Sequence, residues 1–174
     1  MKKNLKTIGA LFLAASIGFT SCSKDDNAST TLQVKMTDAP GAFTKVNVDI
    51  REVLIKYTDD TTSADGWVKL QTNAGIYDLL TLQNNVDTLI GSITIPQQTV
   101  KQIRLVLGTN NSVETIGQVF PLTIPSGSES GLKIKLNKTL NSSLETVVID
   151  FDANASIKLE IDGTYKLRPV ITVR

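Results

Sequence analysis

The side chains best placed to do chemistry in this chain are three aspartates. Along ETVVIDFDA (145–153), Val147, Ile149 and Phe151 share one face of an extended segment, so Asp150 and Asp152 project together from the other. Two carboxylates at i and i+2, joined by carbonyl oxygens, suit a hard cation such as Ca²⁺. Asp38 completes the set if the first and late strands are neighbours. The same acids would serve glycoside hydrolysis only from opposite sides of a cleft, which adjacent acids on one strand do not supply. A third use is structural. Asp38 would accept backbone N–H groups in an Asx-turn before Pro40, while Asp150 and Asp152 do likewise or pair with Lys158 or Arg168. The structural use is the expected one, with Ca²⁺ at Asp38, Asp150 and Asp152 as the metal to test. The 174 residues include no histidine, which removes Ser-His-Asp and Cys-His catalysis and zinc sites of the usual kind. No glycine-rich phosphate loop is present, and no catalytic residue is assigned.

The loop TDDTTSADGW (58–67) holds Asp59, Asp60 and Asp65 but lacks the alternating ligand spacing of a calcium loop, and reads as a solvated hairpin connection. Within it Asp60-Thr61-Thr62 resembles the Asp-Thr-aliphatic-or-Thr sequon of bacterial O-glycosylation, as does Asp87-Thr88-Leu89, which makes Thr61 and Thr88 candidate acceptors. Trp67 has a face suited to a pyranose ring. With aromatics at 5% of the chain it has no obvious second aromatic partner, so a half-buried place at a strand end in the core is expected.

These groups are carried by short strands. From Thr31 onward apolar residues alternate with polar ones, and turn residues recur about every ten positions. Leu32, Val34 and Met36 form one set; after Asp38-Ala39-Pro40-Gly41 come Val46, Val48 and Ile50. The phase then slips to Val53, Ile55 and Tyr57, which predicts a β-bulge near Arg51-Glu52. Further strands are expected at 67–70, 89–95, 102–107, 119–124, 132–136, 145–151, 156–161 and 165–173. Asp162-Gly163 marks a hairpin. Pro169, inside the last strand, implies an edge position. Only YDLLTL (77–82) suggests a helical turn. About nine strands and no long amphipathic helix predict an all-β fold, an antiparallel β-sandwich.

The N-terminal residues have a different character. Lys2, Lys3 and Lys6 precede the apolar run Ile8 to Phe19, whose 12 residues fall short of the roughly 20 that span a bilayer. The only cysteine follows, in Phe19-Thr20-Ser21-Cys22. This segment resembles the lipobox of bacterial lipoproteins, in which the thiol is alkylated with diacylglycerol, the signal is removed and the new amine is acylated. Cys22 is then a lipid attachment site, and two or more acyl chains anchor stably. Ser23-Lys24-Asp25-Asp26 resembles a surface-export signal of some Gram-negative lipoproteins. The expected organisation is a signal peptide at 1–21, lipidated Cys22 and a flexible tether at 22–30, and one domain at 31–174. Without Lys2, Lys3 and Lys6 the chain keeps 15 basic residues against 17 acidic ones, a net of −2 that argues against nucleic acid as a partner. A single cysteine permits no internal disulfide, so stability must come from the core.

TDAPGAF (37–43), IPQQTVKQIRLVLG (95–108), DFDANASI (150–157) and YKLRPVI (165–171), in this order, are similar to the family known as domain of unknown function 4382, found in secreted proteins and lipoproteins. The resemblance implies an immunoglobulin-like or prealbumin-like sandwich and no reaction. The expected function is non-enzymatic: a module tethered by covalent lipid to the outer membrane of a Gram-negative bacterium, at the cell surface or else on the periplasmic face, binding a glycan or an envelope protein. The alternatives are a carbohydrate-active hydrolase using the acidic cluster and a structural subunit of an envelope assembly.

Overall fold

The computed structural model describes residues 28–39, 42–125 and 131–174; Cys22 and the turn at Pro40-Gly41 lie outside them. In chain order the strands are β1 (Ser29–Thr37), β2 (Lys45–Lys56), β3 (Val68–Lys69), β4 (Gln71–Thr72), β5 (Gly75–Asp78), β6 (Thr88–Pro96) and β7 (Thr99–Leu107). They continue as β8 (Ser112–Thr115), β9 (Gln118–Thr123), β10 (Leu132–Thr139), β11 (Leu144–Phe151), β12 (Ile157–Leu159), β13 (Tyr165–Leu167) and β14 (Ile171–Val173). YDLLTL forms a 3-10 turn at Leu79–Leu82, and Ala153–Ser156 is a single helical turn, α1.

The architecture is all-β and sandwich-like. One sheet has the order β14-β11-β1-β6-β4; the other runs β10-β7-β2-β8-β9-β13-β12, with β3 and β5 also on β2. Both are mixed, which corrects the antiparallel expectation: β1 pairs parallel with β11, and β13 parallel with β9. Fourteen strands stand among the described residues where about nine were expected, because β4, β5 and β8 are too short to show a period of two and the strand expected at 165–173 is two strands.

Alternation explains the core. Leu32, Val34 and Met36 of β1 are fully buried, as are Val46, Val48 and Ile50 of β2 and, in the opposite phase, Val53 and Ile55. The β2–β7 register shifts between Ile50 and Glu52, so one extra residue lets both halves of a 12-residue strand face inward. A buried Val, Leu, Ile or Phe contributes about 1.5–3 kcal/mol, and the two facing sheets supply this burial without a disulfide.

Pro169 does not lie inside one strand. The segment 165–173 is two strands in two sheets, and Arg168 to Val170 crosses between them. The crossing is held by Val170 N donating to Ser156 Oγ at 2.8 Å and by Asp152 N donating to Val170 O at 3.0 Å. Ser156, expected at a strand start, is instead the last residue of α1. The Asp162-Gly163 hairpin forms as expected, with Gly163 at φ +81°, where glycine has no Cβ to clash.

Chain polarity gives the sandwich two distinct ends. At one, β1 starts beside Pro96, β6 crosses into β7 through Gln97 and Gln98, and β10 crosses into β11. At the other, β1 and β11 end, β6 begins, and the β8–β9 and β12–β13 turns project.

Candidate functional site

β1 and β11 run side by side with Thr37 opposite Asp150, so the fold brings Asp38, Asp150 and Asp152 together at one sheet corner. Each has a distinct task. Asp38 is 2% exposed. Its Oδ1 accepts from Ala153 N at 2.8 Å and its Oδ2 from Gln83 Nε2 at 3.2 Å, while its own N–H donates to Leu82 O at 3.1 Å. It thereby joins β1, the 3-10 turn and α1. The Asx-turn expected before Pro40 reaches residues outside those described; the Asp38 carboxylate accepts instead from an amide 115 residues later. Burial pushes the Asp38 carboxyl above its ordinary value, and the Asp150 and Asp152 charges add to the rise against the lowering effect of its two hydrogen bonds.

Asp152 is the N-cap of α1, its Oδ1 accepting from Ala155 N at 2.8 Å. Asp150 pairs with Arg174, not with Lys158 or Arg168: Arg174 Nε and Nη2 donate to its Oδ2 at 2.9 and 2.6 Å. Arg168 pairs with Glu160. The other oxygen of Asp150 is buried and takes no hydrogen bond. A hollow of about 230 Å³ is lined by Thr37, Asn85, Asp87, Val148 and Arg174. Among the described residues no group of three or more His, Cys, Asp or Glu side chains is placed to hold a metal ion. The arrangement binds backbone amides and a guanidinium, and its chemistry is that of a corner clamp.

A second polar cluster lies on the outer face of the larger sheet. The loop after β2 is a solvated hairpin connection, as expected, and it is also clipped to the sheet by its carbonyls. Lys56 Nζ donates to Ser63 O at 3.2 Å, Gln102 Nε2 to Thr58 O and Asp60 O at 2.8 and 2.9 Å, and Lys133 Nζ to Thr61 O at 2.9 Å. Asp60 Oδ1 gathers Thr62 N and Oγ1, and these bonds with that of Ser63 N bring its carboxyl down to about 2. Trp67 is half-buried, as expected, but stands on this outer face and not in the core. Its ring centroid is 5.7 Å from the Lys56 ammonium and 5.1 Å from the Arg104 guanidinium. Both ring contacts are cations of the chain itself, so the ring helps to pin the loop. Lys56 is 3% exposed and Gln102 fully buried beneath it.

The remaining candidates are dispersed. Thr61 is exposed in the clipped loop, whereas Thr88 opens β6 opposite Met36 and is half-buried. Gln83, Arg174, Lys56, Gln102 and Lys133 were not singled out from sequence. Strand parity gives the one usable signal: it puts Lys56 and Gln102 on the same face, opposite each other in the β2–β7 ladder.

The family described as Domain of unknown function (DUF4382) matches residues 29–169. No curated protein and no solved structure matches the chain.

Proposed function

We propose that this chain, which belongs to the DUF4382 family, is a non-enzymatic binding module of the cell envelope, held to a membrane by lipid on Cys22. The observation that carries the reading is the polarity of the sandwich relative to the attachment point. β1 starts at Ser29, so the six residues 23–28 separate Cys22 from the fold. Fully extended they reach about 20 Å. The end with the Pro96–Thr99 corner then faces the bilayer, and the end with the Asp38 corner and the two hairpin turns faces away. That outward end exposes apolar side chains: Ile116 and Ile161 at the turns are almost wholly in solvent, with Val119 beside them. Exposed aliphatic groups at projecting turns suit contact with another molecule better than chemistry on one. The candidate acids support the same reading, since all three are occupied in holding the corner. The partner proposed is a glycan or protein of the envelope, and the location is the outer membrane of a Gram-negative cell, on its surface.

Metabolic labelling with an alkyne analogue of palmitate tests the anchor: wild type labels and Cys22→Ser does not. An unlabelled wild-type chain overturns it. Glycan arrays and in-cell cross-linking test the binding role. Ile116→Asp and Ile161→Asp are expected to weaken the captured contact. Capture indifferent to both would place the contact elsewhere than the outward turns.

A further inference from the structure

We propose that the open edge of β10 is a docking site for an acidic extended segment of another protein, one whose residues alternate aliphatic with Asp or Glu. The inference deepens the binding-module reading and rests on it.

Among the described residues β10 is hydrogen-bonded along one side only, to β7, which leaves an unpaired row of backbone N–H and C=O groups on the other. Residues 132–135 of β10 line a groove of about 300 Å³ together with Pro169 and β14. Its two sides differ in character. Ile134 is buried on the inward face, where Leu132 and Ile171 are half-buried, so side chains turned inward meet aliphatic surface. Lys133 and Lys135 are exposed on the outward face, and neither has a carboxylate partner among the described residues, Lys133 being held by a carbonyl. A strand added to β10 presents alternate side chains to these two faces. Every second residue must then be aliphatic, and those between fall opposite the lysines, where an acid attracts and a base repels.

Charge also selects between occupants. A second copy of β10 laid against the first would set Lys133 and Lys135 against lysines, the device by which sheet edges resist self-pairing. An acidic strand has the opposite sign and gains main-chain hydrogen bonds as well, the mode of strand addition.

The test uses the full-length chain in detergent and three fluorescein-labelled six-residue peptides, read by fluorescence polarisation. One alternates valine with glutamate, one alternates valine with lysine, and the third is the glutamate peptide N-methylated on alternate backbone nitrogens. The glutamate peptide is expected to bind, the N-methylated one not, and Lys135→Glu is expected to shift the preference toward the lysine peptide by about tenfold. Among the described residues Lys135 forms no ion pair or side-chain hydrogen bond, and an unchanged melting temperature checks that the variant is folded. Glutamate-peptide binding no better than that of the lysine peptide, or unaffected by Lys135→Glu or by N-methylation, overturns the proposal. Self-association of the chain through β10 does so in favour of a second copy. Any of these results leaves the outward turns, and the capture experiment on Ile116 and Ile161, untouched.

Discussion

Asp38 is the side chain whose replacement separates a fold-holding role from a ligand-holding one. Asp38→Ala removes the acceptor from a buried N–H, that of Ala153, and from the Gln83 amide. An unsatisfied buried donor costs about 1–3 kcal/mol. For a domain of this size 1 kcal/mol moves the melting temperature by about 2–4 °C, so the expected loss is about 2–12 °C. Asp38→Asn behaves differently. Its carbonyl still accepts from Ala153 N, Gln83 can turn its amide to accept the new NH₂, and the buried negative charge beside Asp150 and Asp152 is gone. The folded-state pKa of Asp38 lies above its unfolded value of 3.8, so the folded chain holds this proton more tightly. The penalty of the buried charge is therefore fully present above the raised pKa and fades as pH falls through it toward 3.8. Asp38→Asn is expected to equal or exceed the wild type in stability at pH 7 and to lose that standing as the buffer is made acidic. Urea unfolding of the three proteins between pH 3.5 and 7.5 measures this. If the Asn and Ala variants are equally unstable at pH 7, or the Asn-to-wild-type difference does not change with pH, the corner-clamp account is wrong. A melting temperature that rises on adding Ca²⁺, and does so only with Asp38, Asp150 and Asp152 intact, would restore the metal.

Further predictions concern the β2 region. Gly108→Ala sets a Cβ against the Asp49 carboxylate and the Arg51 guanidinium; Asp49 is 1% exposed, so the displaced group has little room and about 1–3 kcal/mol is lost in chemical unfolding. Lys56→Met removes the bond to Ser63 O and one cation beside Trp67, and limited proteolysis is expected to cut residues 58–66 faster. Asp60→Ala frees the amides of Thr62 and Ser63, read as faster hydrogen exchange. In the wild type the contribution of Asp60 is fully present above its unfolded value of 3.8 and lost as pH falls through about 2, the opposite direction to Asp38. Deleting Arg51 leaves Val46, Val48, Ile50, Val53 and Ile55 in one regular alternation and is expected to keep cooperative unfolding, whereas inserting one alanine after Arg51 turns Val53 and Ile55 outward and is expected to abolish it.

Local patterns were legible, and long-range partnership was not. The phase slip between Ile50 and Val53 required an inserted residue, and the register shift stands there. The 3-10 turn and the Asp162-Gly163 hairpin were equally plain. Nothing in residues 31–37 says that their parallel neighbour is 144–150, because alternation states which face is buried and not which strand lies alongside. The break at Pro169 was hidden for a related reason. Tyr165, Leu167, Ile171 and Val173 all keep one parity through it, and what splits them is Ser156 Oγ accepting from Val170 N, a contact made by another element. Trp67 was misplaced although parity had the answer: Val68 and Leu70 pack inward, so residue 67, one place before β3, has the parity of the outer face.

The candidate site shows the same division. The spacing of Asp150 and Asp152 and the conditional link to Asp38 located the corner, but residue types could not say what the carboxylates hold. That depended on partners supplied by distant segments: Gln83 from a turn, Ala153 from α1, and Arg174 after β14. A hard cation needs six to eight oxygens that are free to turn toward it. Here Asp38 has both oxygens committed, Asp152 one and Asp150 one to a guanidinium, so a cation would have to displace amide and arginine donors that the fold itself uses. Among the described residues the backbone edge of β10 and the outward turns carry no such duties. They are backbone and aliphatic in nature, and the interactions open to them are strand addition and apolar contact.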